Sequence, residues 1–179
     1  MMDKARNVRM LILDVDGVLT DGNLLYTHNG EVGKAFHVRD GLGINLLLRE
    51  HIAVVIISGR RSKALEYRAR ELGIKDVYQG VADKVVSFEE ITARDKLPSG
   101  HVAFMGDDVV DIPLLARVGF AVAVPDAPEE VKACVDYVTR LSGGKGAVRE
   151  VCELILKSQG KWGPWVSPAK DPFTRGSTL

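Results

Sequence analysis

Four short runs, residues 8–13, 53–57, 102–105 and 120–124, are apolar, partly β-branched and almost free of charge, and they constrain this chain most. A strand with one wet face alternates apolar and polar residues. These runs do not alternate, so each must be covered on both faces. Between them, residues 42–50, 62–72, 83–94 and 112–118 carry apolar residues at helical spacing, and Gly73 and Gly119 stand at expected helix ends. The alternation predicts an α/β fold: a Rossmann-like three-layer sandwich with a mainly parallel sheet. Asp126 and Pro128 mark the start of a further helix, residues 137–139 read as a small edge strand, and residues 147–158 as a helix behind it.

One insertion breaks the pattern. Between residues 24 and 38, two partly alternating segments flank Asn29-Gly30, and the tolerance of both residues for positive φ predicts a projecting β-hairpin with a type I′ turn. The length suits one domain over residues 1–160, followed by a tail over 161–179. With its prolines and with Trp162 and Trp165, the tail reads as an irregular arm against a partner or a disordered segment with exposed indoles. Twenty-four basic and 24 acidic side chains cancel, which excludes the global field of a nucleic-acid or membrane-surface binder. Cys134 and Cys152 are too few for a disulfide framework or a zinc site, so core thiols and a cytoplasmic, reducing setting are expected. The basic residues near the start precede an apolar run soon broken by Asp14 and Asp16, which reads as neither a signal peptide nor a membrane span.

Charged and hydroxyl residues collect where the runs end. The first ends in Asp14-Val15-Asp16-Gly17, two carboxylates separated by one apolar residue at a rigid strand exit. That arrangement serves either nucleophilic and acid–base chemistry or an acidic turn. The second ends in Ser58-Gly59-Arg60, a hydroxyl, a bare amide and a guanidinium ahead of a helix: a phosphate cradle or a helix cap. The third ends in Gly106-Asp107-Asp108, with Asp111 close behind. Grouped acids need a counter-charge, and a hard cation such as Mg²⁺ would supply it; helix capping accounts for one of the three but not all. In an α/β sheet ligands bind beyond the carboxyl ends of the strands, an edge that Lys84, at the start of a helix, could complete.

The ordered set Asp-x-Asp-Gly, Ser-Gly-Arg, Lys and Gly-Asp-Asp-x-x-Asp resembles the four motifs of the haloacid dehalogenase superfamily. Within it the chain is similar to the small capless branch that hydrolyses 3-deoxy-D-manno-octulosonate 8-phosphate in lipopolysaccharide precursor synthesis. The likeness runs from about Met10 to Trp162 and includes Lys34-Ala35-Phe36, Val38-Arg39-Asp40-Gly41, Tyr78-Gln79-Gly80 and Gly143-Gly144-Lys145-Gly146. The resemblance implies a nucleophile at Asp14, an acid–base group at Asp16, and Mg²⁺ held by the side chains of Asp14 and Asp107 and the backbone carbonyl of Asp16, supported by Asp108 and Asp111. It implies phosphoryl contacts from Ser58, Gly59 and Lys84, and sugar-acid contacts from Asp16, His37, Val38, Arg39, Asp40, Gly41, Arg60, Arg68 and Lys84. It further implies a homotetramer whose neighbouring subunits and hairpins roof the active sites.

Chemistry agrees in part. The gaps after Asp16 and after Lys84, about 40 and about 20 residues, are too short for a separate cap domain. Two arginines suit a substrate that carries a carboxylate beside its phosphate. Asn45 departs from the branch's basic residue at that position, and His37 from its common asparagine. A nine-carbon sugar-acid phosphate is the rival substrate. In another class, a receiver-type signalling domain also gathers acids, a hydroxyl and a lysine, but it has no use for Asp16.

Overall fold

Nothing in Met-Leu-Ile-Leu needs water, and the computed structural model, which describes residues 2–167, places β1 (Met10–Leu13) at the centre of the sheet with every position buried. β1 pairs in parallel with β4 (Ala53–Ser58) on one side and β6 (Val102–Gly106) on the other. Outside these lie β5 (Asp76–Gln79), β7 (Phe120–Ala123) and β8 (Tyr137–Val138), giving the order β5-β4-β1-β6-β7-β8 with all neighbours parallel.

Right-handed crossovers put α2 (Val38–Arg49) and α3 (Lys63–Leu72), on the path from β1 out to β5, over one face. They put α4 (Lys84–Asp95), on the return to β6, over the other. α7 (Ala147–Ser158) packs against α2 and against α1 (Met2–Arg6), while α5 (Ile112–Leu115) packs on α4 and β6. α6 (Glu129–Lys132) joins β7 to β8. The chain leaves β1 in one direction and resumes at β6 in the other, so the crevice between helical layers opens beyond the carboxyl ends of these two strands. Both residues that follow, Asp14 and Asp107, stand at that opening, and the Asp14 N–H is tied to the Met105 carbonyl at 3.0 Å.

Several local expectations needed correction. β5 lies outside the four apolar runs because Asp-Val-Tyr-Gln is a half-buried edge sequence. α2 starts at Val38 rather than 42, because Asp40 and Gly41 are buried by tertiary contacts that periodicity cannot see. The hairpin β2 (Leu25–Thr27) and β3 (Gly30–Gly33) forms, but Thr27 pairs with Gly30, so the turn is His28-Asn29, and only Gly30 takes positive φ. Gly73 caps α3 in the left-handed region, whereas Gly119 serves close approach: a Cβ there would overlap the backbone of Gly100. Pro128 precedes α6 without a cap bond from Asp126.

Cys152 is buried and Cys134 exposed, so only one is a core thiol. Trp162 and Trp165 are not free indoles. Both pack on the core around α8 (Gly163–Val166), and Trp165 Nε1 donates to Glu50 at 3.0 Å. The rest of the tail, residues 168–179, lies outside the described residues. No helix among the described residues is long and apolar enough to cross a membrane.

Candidate active site

Asp14 leaves β1 into a loop that must fold back tightly over β6. Gly17 makes this possible: its φ is +89°, and a Cβ there would overlap the Asp107 carboxylate. The buried Thr20 hydroxyl donates to the Val15 carbonyl at 3.3 Å and accepts the Gly22 N–H at 3.2 Å. From the far side of the chain, Gly143-Gly144 wedges against this loop. A Cβ on Gly143 would overlap the Gly17 carbonyl, and Gly144 donates to Val18 at 3.0 Å. The glycine pair before α7 thus fixes the loop that carries Asp14 and Asp16.

Asp111 organises the opposite wall. Fully buried, it accepts the N–H groups of Asp107 and Asp108 at 3.0 and 3.3 Å on one oxygen and Lys84 Nζ at 2.6 Å on the other. Lys84 Nζ also lies 2.9 Å from Asp14 Oδ1. Asp108 turns outward and accepts the Val109 N–H at 2.7 Å, capping the short 3₁₀ turn that follows. Ser58 is buried at the end of β4, and its hydroxyl accepts the Arg60 N–H at 3.3 Å. At Gly59 a Cβ would find only ordinary contact with Val81, so packing does not demand the glycine.

Burial disfavours charge throughout this cluster. It raises the pKa of Asp14 against the pull of Lys84, and burial together with the neighbouring Asp14 and Asp111 carboxylates pushes Asp107 up to about 8. Burial pulls the Lys84 pKa down, but Asp14 and Asp111 outweigh it and hold the ammonium above its usual range. Asp14, Asp107 and Asp111 each place an oxygen within 4.8 Å of one another. Such an all-oxygen donor set, short of positive charge, fits a hard divalent cation. Asp111 is already engaged by Lys84 and two N–H groups, which leaves Asp14 and Asp107 as the side chains with oxygens to spare.

The remaining predicted residues divide. Asp16 pairs with Lys34, at the end of the hairpin, and its other oxygen is 3.9 Å from Arg60 Nε. Arg60 donates to the Tyr26 hydroxyl at 2.5 Å. His37 and Arg39 line a separate cavity of about 550 Å³ with Arg140, Lys145 and Arg149, and Val38 is exposed. Asp40 turns into the fold, where it accepts the Arg149 N–H of α7 at 2.7 Å. Arg68 lies over Gly41, donating to Glu71 at 2.9 Å and to the His37 carbonyl at 3.5 Å. Within this one chain, Asp14, Asp16, Ser58, Gly59, Arg60, Lys84, Asp107 and Asp111 gather at the strand ends; His37 to Gly41 and Arg68 do not join them. Lys34 and Tyr26 were missed as site residues. The only sequence signal was the Lys34-Ala35-Phe36 likeness, because their contacts depend on where the hairpin folds.

A model of haloacid dehalogenase-like hydrolases matches residues 72–150. The 3-deoxy-D-manno-octulosonate 8-phosphate phosphatase of Escherichia coli K12 is 49% identical over 158 residues, covering 88% of this chain and 84% of that enzyme. This chain belongs to that phosphatase family. Two solved structures extend the likeness. The Yersinia pestis phosphatase superimposes with a TM-score of 0.87 at 50% identity, covering 89% of this chain and 86% of that one. The Moraxella catarrhalis phosphatase, solved in complex with a magnesium ion, a phosphate ion and a KDO molecule, gives 0.91 at 40% identity, covering 94% and 97%. The expected fold, a mainly parallel sheet between helical layers, is shared with these structures.

Proposed function

We propose that this protein hydrolyses 3-deoxy-D-manno-octulosonate 8-phosphate to the free sugar acid and phosphate, with Mg²⁺ as cofactor and through an aspartyl-phosphate. The observation that carries the mechanism is the placement of Asp14 between Lys84 and the Asp107 side, with Asp16 two residues on. The family likeness supports the choice of substrate.

Asp14 attacks phosphorus as the bond from phosphorus to the sugar oxygen breaks, and Asp16 gives its proton to that oxygen. Water then attacks phosphorus as its bond to the Asp14 oxygen breaks, Asp16 takes the proton of the water, and the Asp14 carboxylate and free phosphate are restored. Lys84 faces the nucleophile, and the Ser58 hydroxyl with the Gly59 and Arg60 groups would bind the phosphoryl oxygens. Asp14, Asp107 and the Asp16 carbonyl would hold Mg²⁺, which would supply charge neutralisation for the phosphoryl group. Asp111 holds Lys84 and the Asp107 amide in place; Asp108 supports the turn beside them.

The structure's exposed Leu25, Tyr26 and Val38, on and beside the hairpin, suit burial by neighbouring subunits. We infer one catalytic domain over residues 1–160 in a cytoplasmic homotetramer, whose neighbours bring further groups to His37, Val38, Arg39, Asp40, Gly41 and Arg68. Phosphate release from a panel of phosphorylated sugar acids and neutral phosphosugars, with and without Mg²⁺, tests the assignment. Turnover is expected on the eight-carbon sugar acid, to depend on Mg²⁺, and to vanish in Asp14→Asn. Equal activity on neutral phosphosugars, or a nine-carbon acid preferred over the eight-carbon one, would overturn the substrate. Sedimentation at micromolar concentration tests the tetramer.

A further inference from the structure

Asp16 is gripped from the hairpin. Lys34, the residue after β3, has only 1% of its side chain exposed, and its Nζ pairs with Asp16 Oδ1. Arg60 Nε stands 3.9 Å from Asp16 Oδ2, and Arg60 is itself tied to Tyr26 of β2. Both carboxylate oxygens therefore face a cation, and both cations are placed by the hairpin, one directly and one through a phenol. Lysine is seldom buried this deeply unless it is paired, and ordering its long stem is costly in entropy. Asp16 needs such a hold: it sits on a loop, about one-fifth exposed, just before the left-handed turn at Gly17.

We propose that Lys34 is a positioning residue for the known reaction, fixing the Asp16 carboxyl group in the orientation from which it exchanges a proton with the leaving oxygen. This rests on Asp16 as the acid–base group. A proton crosses only between oxygens in hydrogen-bond reach, and a displacement of about 1 Å lowers the rate on the order of 100-fold. The hairpin, usually a roof, becomes part of the acid–base apparatus.

Leaving-group dependence tests this in the Mg²⁺-loaded protein. p-Nitrophenolate departs without a proton, whereas a sugar oxygen does not, and kcat/KM covers only the steps through leaving-group departure. Lys34→Met is expected to lower kcat/KM on the eight-carbon sugar-acid phosphate about 100-fold and on p-nitrophenyl phosphate less than threefold. A neutral phosphosugar, with an equally poor leaving group and no carboxylate, should fall with the sugar acid, and Lys34→Arg should recover most of the loss. Tyr26→Phe, which leaves the core untouched, should show the same split at about threefold. Equal losses on all three substrates, or a loss confined to the sugar acid, would overturn positioning in favour of a scaffold or a carboxylate contact. Asp16→Asn separates the premise: a split in Asp16→Asn without one in Lys34→Met refutes the Lys34 role alone, and no split in Asp16→Asn refutes both.

Discussion

Asp40 lies in a segment implied to touch substrate, yet its carboxylate faces the interior, and replacing it separates the two roles. α7 begins after Gly146, which has no side chain to cap it, and Asp40 from α2 supplies the missing acceptor to the Arg149 N–H at 2.7 Å. Losing a charge-assisted bond to a buried amide costs about 1.5–3 kcal/mol. Part of that returns, because Asp40 is 1% exposed and its other oxygen has no partner, 3.8 Å from His37 Nδ1. The net cost of Asp40→Ala is about 2 kcal/mol, a fall in Tm of about 4–8 °C for a chain of this size.

Asp40→Asn keeps the acceptor and removes the charge. Burial raises the Asp40 pKa, so the fold binds this proton more tightly than the unfolded chain does: the stabilising contribution is complete below the ordinary carboxylate value of 3.8 and fades as pH rises through the folded value. Asp40→Asn should therefore match wild type in acid and gain on it towards neutral pH. Melts across pH, read by circular dichroism alongside KM, check this. An Asp40→Ala variant that melts within 1 °C of wild type while KM rises tenfold would refute the anchoring role and return Asp40 to the substrate.

Lys84→Met should lower kcat about 100- to 1,000-fold in phosphate-release assays, and should destabilise the metal-free protein by about 3 kcal/mol because Asp111 is left buried without its cation. Gly17→Ala must adopt φ near +89° and displace Asp107, so the Mg²⁺ concentration for half-maximal activity should rise well before the fold is lost; an unchanged requirement would contradict the contact. Trp165→Phe keeps a ring beneath Arg49 but loses the bond to Glu50, with an expected cost of about 1 kcal/mol in urea titration and no change in kcat.

What could be read from sequence was what a single strand end carries. Asp14, Ser58 and Asp107 each follow an apolar run, and the parallel sheet brings such ends together without further instruction. Edge strand β5 escaped because an edge needs little apolar sequence, and its Asp76 serves a pair with Arg94 at the surface. The direction of a side chain off a helix was not legible either: Asp40 and Arg68 follow from how α2 meets α7 and α3. Lys34 escaped for a third reason, since a hairpin's contacts depend on where it folds rather than on its own pattern.

Charge explains why the site takes this form. Asp14, Asp107 and Asp111 against Lys84 leave two formal negative charges at the strand ends, in a place where burial already drives Asp107 towards neutrality. A phosphate dianion approaching such a cluster would be repelled. A divalent cation would cancel the excess, so that in the proposed mechanism Lys84, Arg60 and Gly59 would meet the phosphate without opposition. Metal and substrate binding are thereby linked through electrostatics, and Mg²⁺ should tighten phosphate binding more than it tightens binding of the dephosphorylated sugar acid. Calorimetric titrations of inorganic phosphate and of the free sugar acid, each with and without Mg²⁺, measure that difference; equal enhancement of both would contradict it.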